Sequence, residues 1–197
     1  MPTLDFWLDY ASTYSYLAAA RIGPLARAAA VTVRWRPFLL GPIFQAQGWN
    51  SSPFNIYAAK GRYMWRDMER SCEHLGLPLT RPARFPQNSI LAARVALIGF
   101  DDGWGEDFSH AVYRAEFAES RDIGETATIA KILGKLGRDA SHVLEQAQAA
   151  ENKARLRSQT EEAQRLGIFG APSFTTADDE LFWGNDRLEA ALAWARK

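Results

Sequence analysis

One cysteine, Cys72, is all that the 197 residues carry, so an intramolecular disulfide, a Cys-x-x-Cys redox pair and a cysteine zinc site are each excluded by counting. Histidine is nearly as scarce: His74, His110 and His142 are scattered without metal-ligand spacing, and metal catalysis drops out of the expected chemistry. No stretch approaches the roughly 18 to 20 apolar residues needed to cross a bilayer. No basic segment followed by an apolar one precedes the first strand-like run, so no signal peptide is expected and a reducing cytoplasm is the expected compartment. Net charge is lacking too: 23 Lys and Arg balance 23 Asp and Glu. No global field then recruits nucleic acid or an anionic membrane, and an anionic ligand must be caught locally.

What is present reads as an ordinary folding chain, 47% hydrophobic and 23% charged, of a length suited to one compact unit with an insertion. Residues 3–9 alternate, Leu4, Phe6 and Leu8 on one face and Asp5, Trp7 and Asp9 on the other, as a strand does. Val31, Val33 and Trp35 repeat the pattern until Pro37. The alanine-rich residues 15–30 between them predict a helix kinked at Gly23-Pro24. Strand, helix and strand at this spacing make a parallel βαβ unit.

Near the other end, residues 173–176 and 181–183 flank a turn and predict a hairpin, followed by a helix carrying Leu188, Leu192 and Ala195. Between the two units, helices are expected over 57–75, 88–98, 106–117, 126–136 and, as one long element capped by Ser141, 141–166. The order βαβ, helical block, ββα predicts an α/β fold: a thioredoxin-like four-stranded mixed sheet with a large all-helical insertion. Residues 1–45 and 167–197 are then the thioredoxin-like domain and 46–166 the helical insertion.

Several places could carry chemistry, and each has a plainer reading beside it. Ser12, Thr13 and Ser15 surround a helix N-terminus, where N–H groups and the macrodipole favour an anion or thiolate; simple capping is the plainer role. Ala171-Pro172 just before a strand is either a cis proline facing that N-terminus, its preceding residue offering hydrogen bonds to an extended peptide, or an ordinary trans proline at a strand edge. Of Asn185 and Asp186, one caps a helix and the other is free to meet a ligand ammonium group. Arg62, Arg66 and Arg70 recur on one helix face, with Glu69 and Glu73 placed to make it a solvated ion-pair face. Opposite them Tyr57, Met64, Trp65, Met68, Cys72 and Leu75 form a core stripe, which makes Cys72 a buried apolar residue. Asn55 is a loop former or a ligand contact, and Phe85, held between prolines, anchors a loop or lines an aromatic pocket.

At residues 5–17, 85–89, 167–174 and 182–187, in this order, the chain resembles the 2-hydroxychromene-2-carboxylate isomerases, in the kappa-class glutathione transferase branch of the DsbA-like thioredoxin superfamily. The resemblance implies glutathione as cofactor, with the family's sulfur-side serine on Ser12, its cis-proline contact on Ala171 and its γ-glutamyl contacts on Trp183, Asn185 and Asp186. It implies a small aromatic carboxylate as substrate, near Asn55 and Phe85, and a homodimer. Thr13 stands where the family has proline and Ala171 where it has valine, changes that bear on the shape of the thiol pocket. With no histidine or lysine beside it in sequence, Ser12 is expected to donate to the sulfur and favour thiolate rather than to attack. That thiolate would add reversibly to a conjugated chromene or benzylidenepyruvate, free a double bond to rotate, and be expelled. The implied reaction interconverts 2-hydroxychromene-2-carboxylate and trans-o-hydroxybenzylidenepyruvate or relatives. A kappa-like glutathione transferase and a non-catalytic peptide-binding module are the alternatives. A disulfide oxidoreductase is rejected, because Ser12 and Ser15 stand where it needs two cysteines.

Overall fold

The computed structural model describes residues 1–197. Strand β1 (Thr3–Leu8) leads into α1 (Thr13–Ala29) and β2 (Thr32–Pro37), and β3 (Ser173–Thr176) and β4 (Leu181–Trp183) complete one sheet in the order β2-β1-β3-β4. β1 and β2 are parallel, with Leu4 opposite Val33 and Phe6 opposite Trp35, while β3 runs antiparallel to both β1 and β4. This is the mixed thioredoxin-like sheet expected from the element order. Helix α1 continues past Pro24 to Ala29, so the proline does not end it.

The alternation of β1 predicts one covered face, but both are covered. Leu4, Phe6 and Leu8 enter the main core with α1 and the helical block. Trp7, on the other face, is 1% exposed and packs with Phe38, Ile43, Ala163 and Ile168. Its indole N–H donates to Thr175 Oγ1 at 2.9 Å. Asp5 escapes an unpaired burial because its register partner Arg34 reaches it at 2.5 Å.

The connecting block runs α2 (Leu40–Ala46), α3 (Pro53–Ile56), α4 (Ala58–Leu75), α5 (Ile90–Asp101), α6 (Gly105–Phe117), α7 (Thr126–Lys135), α8 (Ala140–Gln148) and α9 (Ala150–Arg165), and α10 (Leu188–Trp194) closes the chain. The single long helix expected over 141–166 is two. Ala149 takes extended backbone angles (φ −61°, ψ 147°) that break the hydrogen-bond ladder, and the first of the pair is capped by Asp139, which accepts the His142 N–H, and not by Ser141. Neither Gly nor Pro marks that break. On α4, Met64, Trp65, Met68 and Cys72 are buried as the stripe predicts, whereas Tyr57 lies at the cap and is 45% exposed. The opposite face is the expected ion-pair surface, with Arg66 on Glu69 and Arg70 on Asp67 in place of Glu73. No helix is long and apolar enough to cross a membrane.

Candidate active site

The turn between β1 and α1 is shaped by Asp9. Its carboxylate accepts the Ala11 N–H at 3.0 Å and the Leu40 N–H at 2.8 Å, tying this turn to the start of α2. Its carbonyl accepts from Ser12 N and, at 3.1 Å, from the Tyr113 hydroxyl. Burial holds the Asp9 carboxyl above its ordinary range, against the smaller lowering effect of these backbone donors and the Ser89 side chain. Asp9, read from the sequence only as one face of a strand, is thus the residue that sets the turn.

Ser12 is the N-cap of α1 and 8% exposed. Its Oγ accepts the Ser15 N–H at 3.2 Å and donates to the Ala171 carbonyl at 3.0 Å. Capping and facing the proline loop are therefore both true of it. The Ala171-Pro172 bond is cis. The loop is held from below by Ser173 Oγ on the Gly170 carbonyl and by Gly184 N–H on that of Pro172. Gly170 has no room for a side chain, since a Cβ there would collide with the Trp183 indole. Trp183 is 52% exposed and meets Phe169 edge to face at 4.9 Å. Thr13 turns its hydroxyl away from the opening, toward Met64 Sδ.

Asn185 and Asp186 open a single 3-10 turn, and neither caps it, since Gly184 occupies the cap position. Arg21 of α1 donates to both the side-chain and backbone oxygens of Asn185, at 2.9 and 3.2 Å, and is itself paired with Glu189. Asp186 is exposed, with Arg187 at 3.7 Å. Across the opening, Phe85 lies edge-on to Trp65 at 5.1 Å. Asn55 braces it, donating to the Phe85 carbonyl at 3.0 Å and to Ser51 Oγ.

These segments enclose a cleft of about 1840 Å³. Ser12, Phe85, Ala171, Trp183, Asn185 and Asp186 all line it; Asn55 does not, its amide being spent behind Phe85, and Asn50 of the preceding loop lines it instead. The cleft's cations are Lys60 and Arg187. Lys60 sits over the Tyr57 ring at 4.8 Å and has no carboxylate partner. Tyr14, also in the wall, gives its hydroxyl proton to Asp67 at 3.0 Å and is held far above the usual phenol range by burial and by that carboxylate. Cys72 lies outside the cleft, 2% exposed, its thiol pushed by burial up to about 11. It carries no thiolate at neutral pH.

A family model for the DSBA-like thioredoxin domain matches residues 3–193. A 2-hydroxychromene-2-carboxylate isomerase of Sphingobium xenophagum is 31% identical over 188 residues, 95% of this chain and 94% of that one. The chain belongs to the 2-hydroxychromene-2-carboxylate isomerase family. It is an enzyme of isomerase type, and a solved structure of a 2-hydroxychromene-2-carboxylate isomerase superposes on it with a TM-score of 0.86 at 28% identity, covering 98% of this chain and 95% of that one. Glutathione S-transferase kappa 1 of Homo sapiens, 24% identical over 95% of this chain and 88% of its own, is a more distant relative of this isomerase-family chain. Within the isomerase family frame, three features of the cleft were not legible as site residues: Asp9, Lys60 and the small residue Gly170. Lys60 had a weak signal, a cation that follows Tyr57, Ala58 and Ala59 at the start of α4 and stands off the Arg62, Arg66 and Arg70 spacing.

Proposed function

We propose that this enzyme is a glutathione-dependent isomerase acting on 2-hydroxychromene-2-carboxylate, trans-o-hydroxybenzylidenepyruvate or a closely related aromatic carboxylate. The observation that carries the proposal is the meeting of Ser12 Oγ, at the N-terminus of α1, with the Ala171 carbonyl in a cleft large enough for two ligands. Single small-molecule sites usually occupy about 300 to 1,000 Å³; this one, at about 1840 Å³, leaves room for a substrate beside a tripeptide. The residues present fit glutathione. Ala171 offers a backbone acceptor for its cysteinyl segment, Trp183 and Asn185 a rigid flank, and Asp186 an exposed carboxylate for its γ-glutamyl ammonium.

Bound there, glutathione would supply a nucleophilic sulfur for reversible addition to a conjugated double bond, so that the bond can rotate. Ser12 acts as a hydrogen-bond donor to that sulfur and, with the positive end of the α1 dipole, favours its charged form. It is not a nucleophile, because its two partners are an N–H and a carbonyl, and neither takes a proton. Phe85 presents a flat apolar wall to an aromatic ring, and Asn55 holds that wall in place. Lys60, unpaired in the cleft, meets the substrate carboxylate. Expulsion of the thiolate from the adduct completes an isomerisation, whereas release of the adduct would make the reaction a conjugation.

The test is a turnover assay with glutathione at one-tenth of the substrate concentration. Complete isomerisation with all glutathione recovered as free thiol supports the proposal. Reaction stopping after one equivalent, with a conjugate formed, would assign a kappa-like transferase. Lack of any glutathione binding would leave a peptide-binding module as the reading.

A further inference from the structure

Ser12 has a single hydroxyl proton, and in the free enzyme that proton is already engaged. Oγ donates it to the Ala171 carbonyl at 3.0 Å, while the Ser15 N–H fixes the oxygen from the other side at 3.2 Å. A hydroxyl has no second proton to offer. A sulfur placed beside Ser12 can be stabilised as thiolate only if the proton leaves the carbonyl. That carbonyl has no other donor in the protein: Ser12 is its one partner, and the nearby Ser173 Oγ and Gly184 N–H are committed to the carbonyls of Gly170 and Pro172. Withdrawing the Ser12 proton would leave a part-buried acceptor with no protein donor wherever the seated ligand covers it from water, a penalty that offsets the benefit of the new bond to sulfur.

We infer that Ser12 and Ala171 form an exchange pair that makes the enzyme selective for peptide thiols over simple thiols, an inference that rests on the glutathione reading above. The cysteinyl N–H of a seated peptide takes over the Ala171 carbonyl, and the Ser12 proton turns to the sulfur. The hydrogen bond to a charged acceptor is the stronger one, and no acceptor is orphaned by the change. The thiol proton itself passes to bulk water through the open cleft, and no oxidant, reductant or protein base is needed. A thiol without that N–H can gain the serine's bond only by stripping Ala171 of its donor, so it keeps the effect of the α1 N-terminus and forgoes the serine's share of the shift. Ser12 is thereby a discriminator as well as a donor. The carbonyl has two lone pairs, and if it simply accepted both donors the serine would never turn; that outcome is what the experiment separates.

The experiment compares glutathione with its depsipeptide analogue, in which an ester oxygen replaces the cysteinyl N–H, in wild type and Ser12→Ala. Binding is followed by calorimetry, and the pKa of the bound thiol by thiolate absorbance at saturating ligand. In wild type the pKa of bound glutathione should lie about 1 to 2 units below that of the bound analogue, a 10- to 100-fold difference in thiolate at low thiolate fraction. In Ser12→Ala that gap should vanish. Equal values in wild type, or a gap of the same size in the variant, would overturn the exchange while leaving glutathione binding intact. Absence of glutathione binding by calorimetry would overturn both this inference and the reading beneath it.

Discussion

The two walls of the cleft are built differently. On the sheet side, Ser12, Ala171, Gly170 and Asn185 are buried or half-buried and held by hydrogen bonds from α1 and the β3–β4 hairpin. On the helical side, Lys60 and Tyr63 are exposed and stand on α4, opposite a loop whose Phe85 is steadied by one amide from Asn55. Backbone carbonyls and a helix terminus offer the same groups to any thiol peptide, so the first wall suits a constant cofactor. Exposed side chains can change without disturbing the core, so the second wall suits the variable part of the substrate. On the glutathione reading proposed above, cofactor chemistry and substrate choice would be separated in the fold.

Breaking the first wall should cost most. Ser12→Ala is expected to lower turnover about 10- to 150-fold, the worth of a hydrogen bond to a charged group, with glutathione affinity nearly unchanged. Steady-state kinetics beside calorimetry checks the split, and equal losses in both would make Ser12 a binding contact only. Lys60→Met, in the second wall, should raise KM for the carboxylate substrate about 3- to 10-fold and leave glutathione binding alone. A fall in glutathione affinity in place of the KM change would move Lys60 to the cofactor's side.

A third change lies beneath both walls. Glu116 of α6 is fully buried, both carboxyl oxygens lack partners, and burial holds it well above the ordinary carboxyl range, with the charges of Asp9 and Asp122 adding to the effect. Its folded pKa is raised, so the folded state keeps a proton that the unfolded chain releases above the ordinary glutamate pKa of 4.5. Stability should therefore fall by about 1.4 kcal/mol for each pH unit above that value until the folded group itself ionises. Glu116→Gln should remove this slope and be more stable at neutral pH, as urea unfolding at several pH values would show. An unchanged slope would mean that the carboxyl is ionised in the fold. Smallest of all, Cys72→Ala should leave turnover untouched and cost about 1 kcal/mol from a small cavity; loss of activity in a folded variant would contradict the placement of the sulfur chemistry in the cofactor.

Much of the first wall was legible in the chain, because β1, β2 and the hairpin carry period-two patterns and Ser12 and Pro172 follow or precede them directly. Of the second wall only α4 and Phe85 were legible. α2 and α3 are short and interrupted by Gly and Pro, so no periodicity announces them. Asn55 reads equally as loop former or ligand contact, and only the fold shows its amide turned behind Phe85. Lys60 enters the cleft because α4 packs beside the β1–α1 turn, a tertiary event without local signature. The break at Ala149 escaped for a related reason: alanine favours helix, and only the extended backbone at this residue in the fold shows otherwise.

The most direct measurement is a crystal structure of the enzyme with glutathione. The sulfur should lie within hydrogen-bond distance of Ser12 Oγ, the cysteinyl segment beside Ala171 and the γ-glutamyl end toward Asp186, with open volume facing Phe85 and Lys60. A tripeptide bound elsewhere in the cleft, or with its sulfur turned away from Ser12, would contradict the account.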